Sequence, residues 1–234
     1  ACRRWNSGRL RGVREADARE HADAQPYEPS ETHGRSIRLE RFFCHSPAVL
    51  RWTVPRASQK APMARIPYAD PNQNDEVNAL AAQIRTERAR LHNLYLMLLN
   101  SPPIARGWLN LLTAVRQQCQ LKARYRELTI LRIAILNGAD YEYVSHIPIA
   151  LKEGITQEQI DALEDWRKSD VFEPADVAVL GYTDAMTEDI QVPDTVFDAL
   201  RPHFDARELT ELTATIAAYN LVSRFLEAVE IDHE

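Results

Sequence analysis

From Asp75 onward, apolar residues return every three or four positions, with polar residues filling the intervals. Val77, Leu80, Ala81, Ile84, Leu91, Leu94, Tyr95 and Leu98 keep the spacing of one stripe along an α-helix, so a first amphipathic helix is predicted to run until Ser101-Pro102-Pro103 stops it. A second helix is predicted over about 104–118, with Trp108, Leu111, Leu112 and Val115 inward. The third covers about 124–137 and stops at Asn137-Gly138, a pair suited to a left-handed cap. A short helix then carries Tyr141 to Leu151, with Pro148 either kinking it or opening a new turn, and Gly154 ends it. Thr156 and Gln159 have the spacing of a capping box for a helix reaching about Arg167, and Pro174 falls in the first turn of the next, which extends to about Asp189. Pro193 begins a short segment. Asp205 caps a long final helix whose apolar face is Leu209, Leu212, Ile216, Tyr219, Leu226 and Val229. No run alternates with the period of two that a strand needs, so the class is all-α.

Residues 1–62 break this pattern. They show no sustained period, mix Pro, Ser, His and Arg, and use Arg almost to the exclusion of Lys. They carry twelve basic against seven acidic residues, net +5, whereas residues 63–234 carry 16 against 27, net −11. The expected organisation is therefore a disordered leader or translated upstream segment over 1–62 and a helical domain over 63–234. The chain opens on Ala1, and Met63-Ala64-Arg65-Ile66-Pro67 has the form of an ordinary start. The acidic residues Glu15, Asp17, Glu20, Asp23, Glu28 and Glu31 argue against a transit peptide.

Charge and cysteine content narrow the function. A net −11 domain without a basic stripe makes nucleic acid an unsuitable partner. Cys2, Cys44 and Cys119 are too scattered for a disulfide framework or a zinc ribbon, which fits a reducing, cytoplasmic setting. No apolar run approaches a membrane span, so no membrane partner is expected.

The chemistry concentrates between Glu127 and His146. Glu142 and His146 are four apart and share a helix face, where the carboxylate is expected to hold the imidazole in one tautomer. Glu127, on the preceding helix, is expected to face them across a cleft once the chain turns at Asn137-Gly138. It also sits among Ile130, Leu131 and Ala134, where an unpaired carboxylate is costly, so it needs a partner or a purpose. Two carboxylates and an imidazole are equipment for proton transfer. The duller alternative is a Glu-x-x-x-His pair on an exposed face, and a carboxylate-rich metal site is a further one, although the second histidine such sites usually add is missing. Lys122, Arg124, Arg126 and Arg132 enrich this stretch in positive charge, and Arg124 shares the Glu127 face, so a small anionic substrate suits it; Arg126 and Arg132 fit a solvated surface better. Arg126-Glu127-Leu128-Thr129-Ile130-Leu131 recurs as Arg207-Glu208-Leu209-Thr210-Glu211-Leu212, five identities in six, either a structural repeat or simply a good amphipathic first turn.

The spacing from Glu127 resembles the core motif of the carboxymuconolactone decarboxylase and alkylhydroperoxidase D-like family, in which a Glu is followed by Cys, Cys and His at offsets of twelve, fifteen and nineteen; here those positions hold Ala139, Glu142 and His146. The resemblance implies an all-helical alkylhydroperoxidase D-like domain that assembles as a homo-oligomer, a trimer or hexamer. The peroxidase branch needs an attacking and a resolving thiol, which Ala139 and Glu142 do not supply, and Cys119 lies on a different element. The decarboxylase branch needs no cofactor, because electrons left by departing carbon dioxide delocalise into a lactone carbonyl. On this reading the catalytic residues are His146, donating to the enolate oxygen, and Glu127 or Glu142, carrying the proton; Arg124 or Arg224 anchors the carboxylate, with Tyr141 and Asn220 also binding substrate. Arg224 belongs to Tyr219-Asn220-Leu221-Val222-Ser223-Arg224-Phe225, which looks like the closing helix of decarboxylase-like members, though it is also placed to pair with Glu227. The alternatives are a peroxidase-type reductase and a non-catalytic helical oligomer that binds a small molecule or partner.

Overall fold

The computed structural model describes residues 64–234, so the leader expected over 1–62 lies outside the described residues, as does the start at Met63. α1, Asp75–Arg88, begins where the Asn74 side chain accepts the Val77 N–H at 2.9 Å, and it buries Val77, Leu80, Ala81 and Ile84. The expected single helix to Leu98 does not form: Ala89 turns left-handed at φ 65°, and the chain restarts as α2, Asn93–Leu98. Between Ile84 and Leu91 the sequence offers no large apolar side chain to continue the stripe. Arg88 turns inward instead, donating from Nε to Tyr95 Oη at 3.0 Å and from Nη2 to Thr113 Oγ1 at 2.7 Å.

α3, Pro102–Thr113, opens on two prolines, where no N–H is needed, and winds into a π-helical turn over Ala114–Gln118. Ala105, Trp108, Leu109, Leu112 and Val115 are buried. Leu111, expected inward, is exposed because it lies roughly a third of a turn off that face. α4, Ala123–Asn137, is buried at every position from Glu127 to Ala134. Gly138, at φ 66°, supplies the expected left-handed cap, and α5, Asp140–Lys152, folds back from it and continues through Pro148.

Thr156 and Gln159 form the expected capping box at the start of α6, Gln157–Ala162. That helix stops short of Arg167. Arg132 Nη1 takes the Leu163 and Glu164 carbonyls at 2.9 and 3.1 Å, acceptors that a continuing helix needs, and Trp166–Lys168 follow as a 3-10 turn. α7, Pro174–Asp184, passes into a second π-helical turn, Ala185–Asp189, and the short α8, Asp194–Asp198, precedes α9, Ala206–Val229. Asp205 caps α9 as expected, and its predicted apolar face is buried throughout. α4 runs among α5, α7 and α9, so the hairpin that carries Glu127, Glu142 and His146 is held in the core. Among the described residues there is no strand, and no helix is long and apolar enough to cross a membrane.

Candidate active site

The α4–α5 hairpin places Glu127 beside His146, nineteen residues apart in sequence. His146 Nδ1 donates to Glu127 Oε2 at 2.6 Å, and Arg126 Nε donates to Glu127 Oε1 at 3.0 Å, so each oxygen of this fully buried carboxylate has a partner. Arg126 is fixed in turn by donating from Nη1 to the Arg116 carbonyl at 3.1 Å. Burial alone pushes the Glu127 carboxyl up, but the His146 hydrogen bond and charge, with Arg126, hold it below its ordinary value. It is the anionic member of the site.

Glu142 behaves oppositely. The expectation that it orients the imidazole is corrected: Glu127 does so, while both Glu142 oxygens are buried without a hydrogen-bond partner. Glu127 reaches the ring from the packed neighbouring helix and takes Nδ1, so Glu142 is left without that contact. Burial, reinforced by the charges of Glu227 and Glu127, pushes the Glu142 carboxyl well above its ordinary value. Two carboxyl groups in one site are thus pushed in opposite directions, the arrangement that separates acid from base.

Glu142 and His146 line a cavity of about 180 Å³ with Trp108, Arg116, Tyr141 and Tyr219. His146 stands edge-on to Tyr219, ring centroids 5.5 Å apart at 90°. With Nδ1 committed to Glu127, Nε2 is the ring nitrogen left for the cavity. Among the described residues, the buried side-chain nitrogens and oxygens that lack a partner are Trp108 Nε1, Tyr219 Oη and the two Glu142 oxygens. Each such atom costs about 1–3 kcal/mol while unpaired, and all four belong to residues that line this one cavity. Arg88 also lines it, but its guanidinium is committed to Tyr95 and Thr113. Arg116, carried on the π-helical turn after α3, forms no ion pair among the described residues.

The other expected residues are distributed differently. Tyr141 is at the cavity, donating its hydroxyl to Glu234 at 3.1 Å. Arg124 is not: it pairs with Asp176 at 2.5 Å and donates to the Gly154 carbonyl at 3.0 Å, which ties α4 to the starts of α6 and α7. Asn220 is buried behind the site, donating to Thr187 Oγ1 at 3.0 Å and accepting from Asn137. Arg224 is exposed, makes no ion pair with Glu227, and does not line the cavity. Arg126 and Arg132, expected on a solvated surface, are largely and fully buried; Arg132 pairs with Asp184 through two contacts of 2.6 and 3.1 Å. Arg132 is drawn inward by Asp184 on a packed element, and Arg126 by the Glu127 carboxylate beside it and the Arg116 carbonyl. Glu208, the counterpart of Glu127 in the repeated motif, serves only as a capping box with Asp205.

Cys119 is half-buried and does not line the cavity, and burial followed by the Glu211 charge pushes its thiol up. No group of three or more His, Cys, Asp or Glu side chains among the described residues is placed to hold a metal ion. The sequence located Trp108 and Tyr219 as core but did not mark them, or Arg116, as site residues. The four-residue steps Trp108, Leu112, Arg116 are the signal that put them on one face.

Residues 102–185 match the model of the Carboxymuconolactone decarboxylase family. The chain is 35% identical over 130 residues to the uncharacterized protein YnjA of Escherichia coli K12, a stretch that takes 53% of this chain and 66% of that one, just under two thirds of its length. Among solved structures it is similar to a protein of unknown function from Agrobacterium tumefaciens, described as a candidate antioxidant defence protein AhpD, at 28% identity and TM-score 0.55, over 58% of this chain and 93% of that one. A peroxidase-related protein from Ralstonia eutropha JMP134, described as an alkylhydroperoxidase AhpD core, shares the fold at 18% identity and TM-score 0.64, over 75% and 94%.

Proposed function

We propose, from the premise that residues 102–185 belong to the carboxymuconolactone decarboxylase family, that this chain is an acid–base enzyme of decarboxylase type. It acts without a cofactor on a small anionic cyclic carboxylate of the lactone class. The observation that carries this reading is the 2.6 Å Glu127–His146 pair at a cavity where Glu142, its carboxyl pushed up by burial, stands in the place of a thiol.

The chemistry follows from those groups. In an unsaturated γ-carboxylated lactone the bond to the carboxylate breaks, carbon dioxide leaves, and the bonding pair passes through the ring double bond to the carbonyl oxygen. A proton delivered to carbon then completes the product. His146 Nε2 is the proton carrier, and Glu127 is a positioning residue that fixes the tautomer and stabilises the imidazolium when the ring is charged. Arg116, rather than Arg124 or Arg224, is the arginine available to a substrate carboxylate. The homo-oligomer and the cytoplasmic setting belong to the same proposal; exposed Ile104, Val144 and Leu151 on α3 and α5 offer apolar surface for assembly.

The test is a screen of purified protein for carbon dioxide release from unsaturated γ-carboxylated lactones, with peroxide consumption measured in parallel. Carbon dioxide release that survives alkylation is expected. Peroxide reduction abolished stoichiometrically by alkylation would establish the thiol reductase instead.

A further inference from the structure

The wall of the cavity opposite simple packing is donor-rich. An indole N–H only donates, a phenol O–H donates readily, and a neutral carboxylic acid adds one more O–H. Trp108, Tyr219 and Glu142 bring these three groups to one cavity, each buried and none with a partner on the protein. Their own acceptors do not satisfy one another. What complements them is a ligand with an exposed acceptor oxygen.

We infer that Glu142, Tyr219 and Trp108 form a neutral hydrogen-bonding cradle for the carbonyl oxygen of the ligand, and so select cyclic acids that carry a ring carbonyl over those that lack one. The inference rests on the proposed decarboxylase reading for its substrate class, and it assigns these residues a role beyond the Glu127–His146 pair. Negative charge arrives on that same carbonyl oxygen as carbon dioxide departs, so the cradle is placed where the charge develops. Neutral donors suit the task because an ionised Glu142 repels the oxygen it is meant to hold. Burial opposes ionisation of Glu142 first, then the charges of Glu227 on α9 and Glu127 on α4; His146 on its own helix and Arg88, His92 and Arg116 at the cavity face it from the other side.

Calorimetric titration with two matched probes tests this on the full chain. One is 5-oxotetrahydrofuran-2-carboxylate, a saturated lactone acid with no ring double bond to carry the electrons of decarboxylation; the other is tetrahydrofuran-2-carboxylate, which lacks the carbonyl. At about pH 6 the lactone acid is expected to bind at least about tenfold tighter. The preference shrinks as pH rises and Glu142 ionises. Tyr219→Phe and Glu142→Leu each reduce it several-fold while the ether acid binds as before. Glu142→Gln, which still offers an N–H, keeps the preference as pH rises. Equal affinity for the two acids, no binding of either, or a preference unmoved by both Tyr219→Phe and Glu142→Leu overturns the cradle. Failure of the unsaturated lactones to release carbon dioxide, with the preference intact, removes the decarboxylase reading and leaves the cradle standing.

Discussion

Replacing Glu142 with Gln should change how stability depends on pH more than any other single substitution in the cavity. Glu142 is 2% exposed, neither oxygen has a partner, and burial with the charges of Glu227 and Glu127 raises its folded-state pKa well above 4.5. Below the ordinary carboxylate range the acid is protonated in both states and contributes no pH dependence. Above that range the unfolded chain releases the proton and the folded chain keeps it, so the unfolded state binds fewer protons and stability falls as pH rises. The slope is about 1.4 kcal/mol per pH unit for one group, until the raised folded value is reached and the curve flattens. Glu127 has the opposite sign, its contribution being present above the ordinary range and lost as pH falls through its lowered value, so it does not mask the window. Glu227, also raised, is common to both proteins and cancels in the difference. Urea unfolding at several pH values above the ordinary carboxylate range gives that difference directly. Wild-type stability should drop relative to Glu142→Gln by about 1.4 kcal/mol for each unit within the window. Parallel curves would mean that Glu142 is ionised or solvated in the folded protein, and the account of a neutral acid in the cavity would fail.

Four further outcomes follow from the contacts. Arg132→Ala should cost about 1–3 kcal/mol in urea unfolding, because the Leu163 and Glu164 carbonyls lose their donor while Asp184 keeps Arg167 and Trp166 as partners. Glu208→Ala should cost about 0.5–1 kcal/mol through the α9 cap and leave turnover unchanged, separating the two copies of the repeated motif by kinetics alone. Cys119→Ser should leave carbon dioxide release and its resistance to alkylation unaltered. Arg116→Ala should raise KM for anionic substrates more than it lowers kcat, whereas Arg124→Ala should register in thermal unfolding rather than in KM.

What the sequence made legible was local. Asn137-Gly138, Thr156 with Gln159, Pro174 and Asp205 each announce a helix end through chemistry contained within a few residues, and each does what that chemistry requires. The stripe of α9 was readable for the same reason: periodicity needs no knowledge of a partner. The misreadings share a different origin. Arg132 finds Asp184 from fifty-two residues away, Arg124 finds Asp176, and His146 turns from the glutamate one turn back to the one on α4. Nothing in the spacing of a single helix decides between a nearby carboxylate and a distant one, because packing sets which of them the side chain meets. The break at Ala89 belongs to the same class: Arg88 leaves the helix pattern to satisfy Tyr95 and Thr113 on elements that periodicity treats separately.

The central claim is that His146, held by Glu127, moves the proton in a decarboxylation. Turnover of His146→Ala on whichever γ-carboxylated lactone the wild type decarboxylates, with circular dichroism confirming the fold, tests it most directly. The account predicts a fall of about 10²–10⁴-fold in kcat, with Glu127→Gln falling in the same direction by less. Wild-type turnover in a folded His146→Ala protein would contradict it.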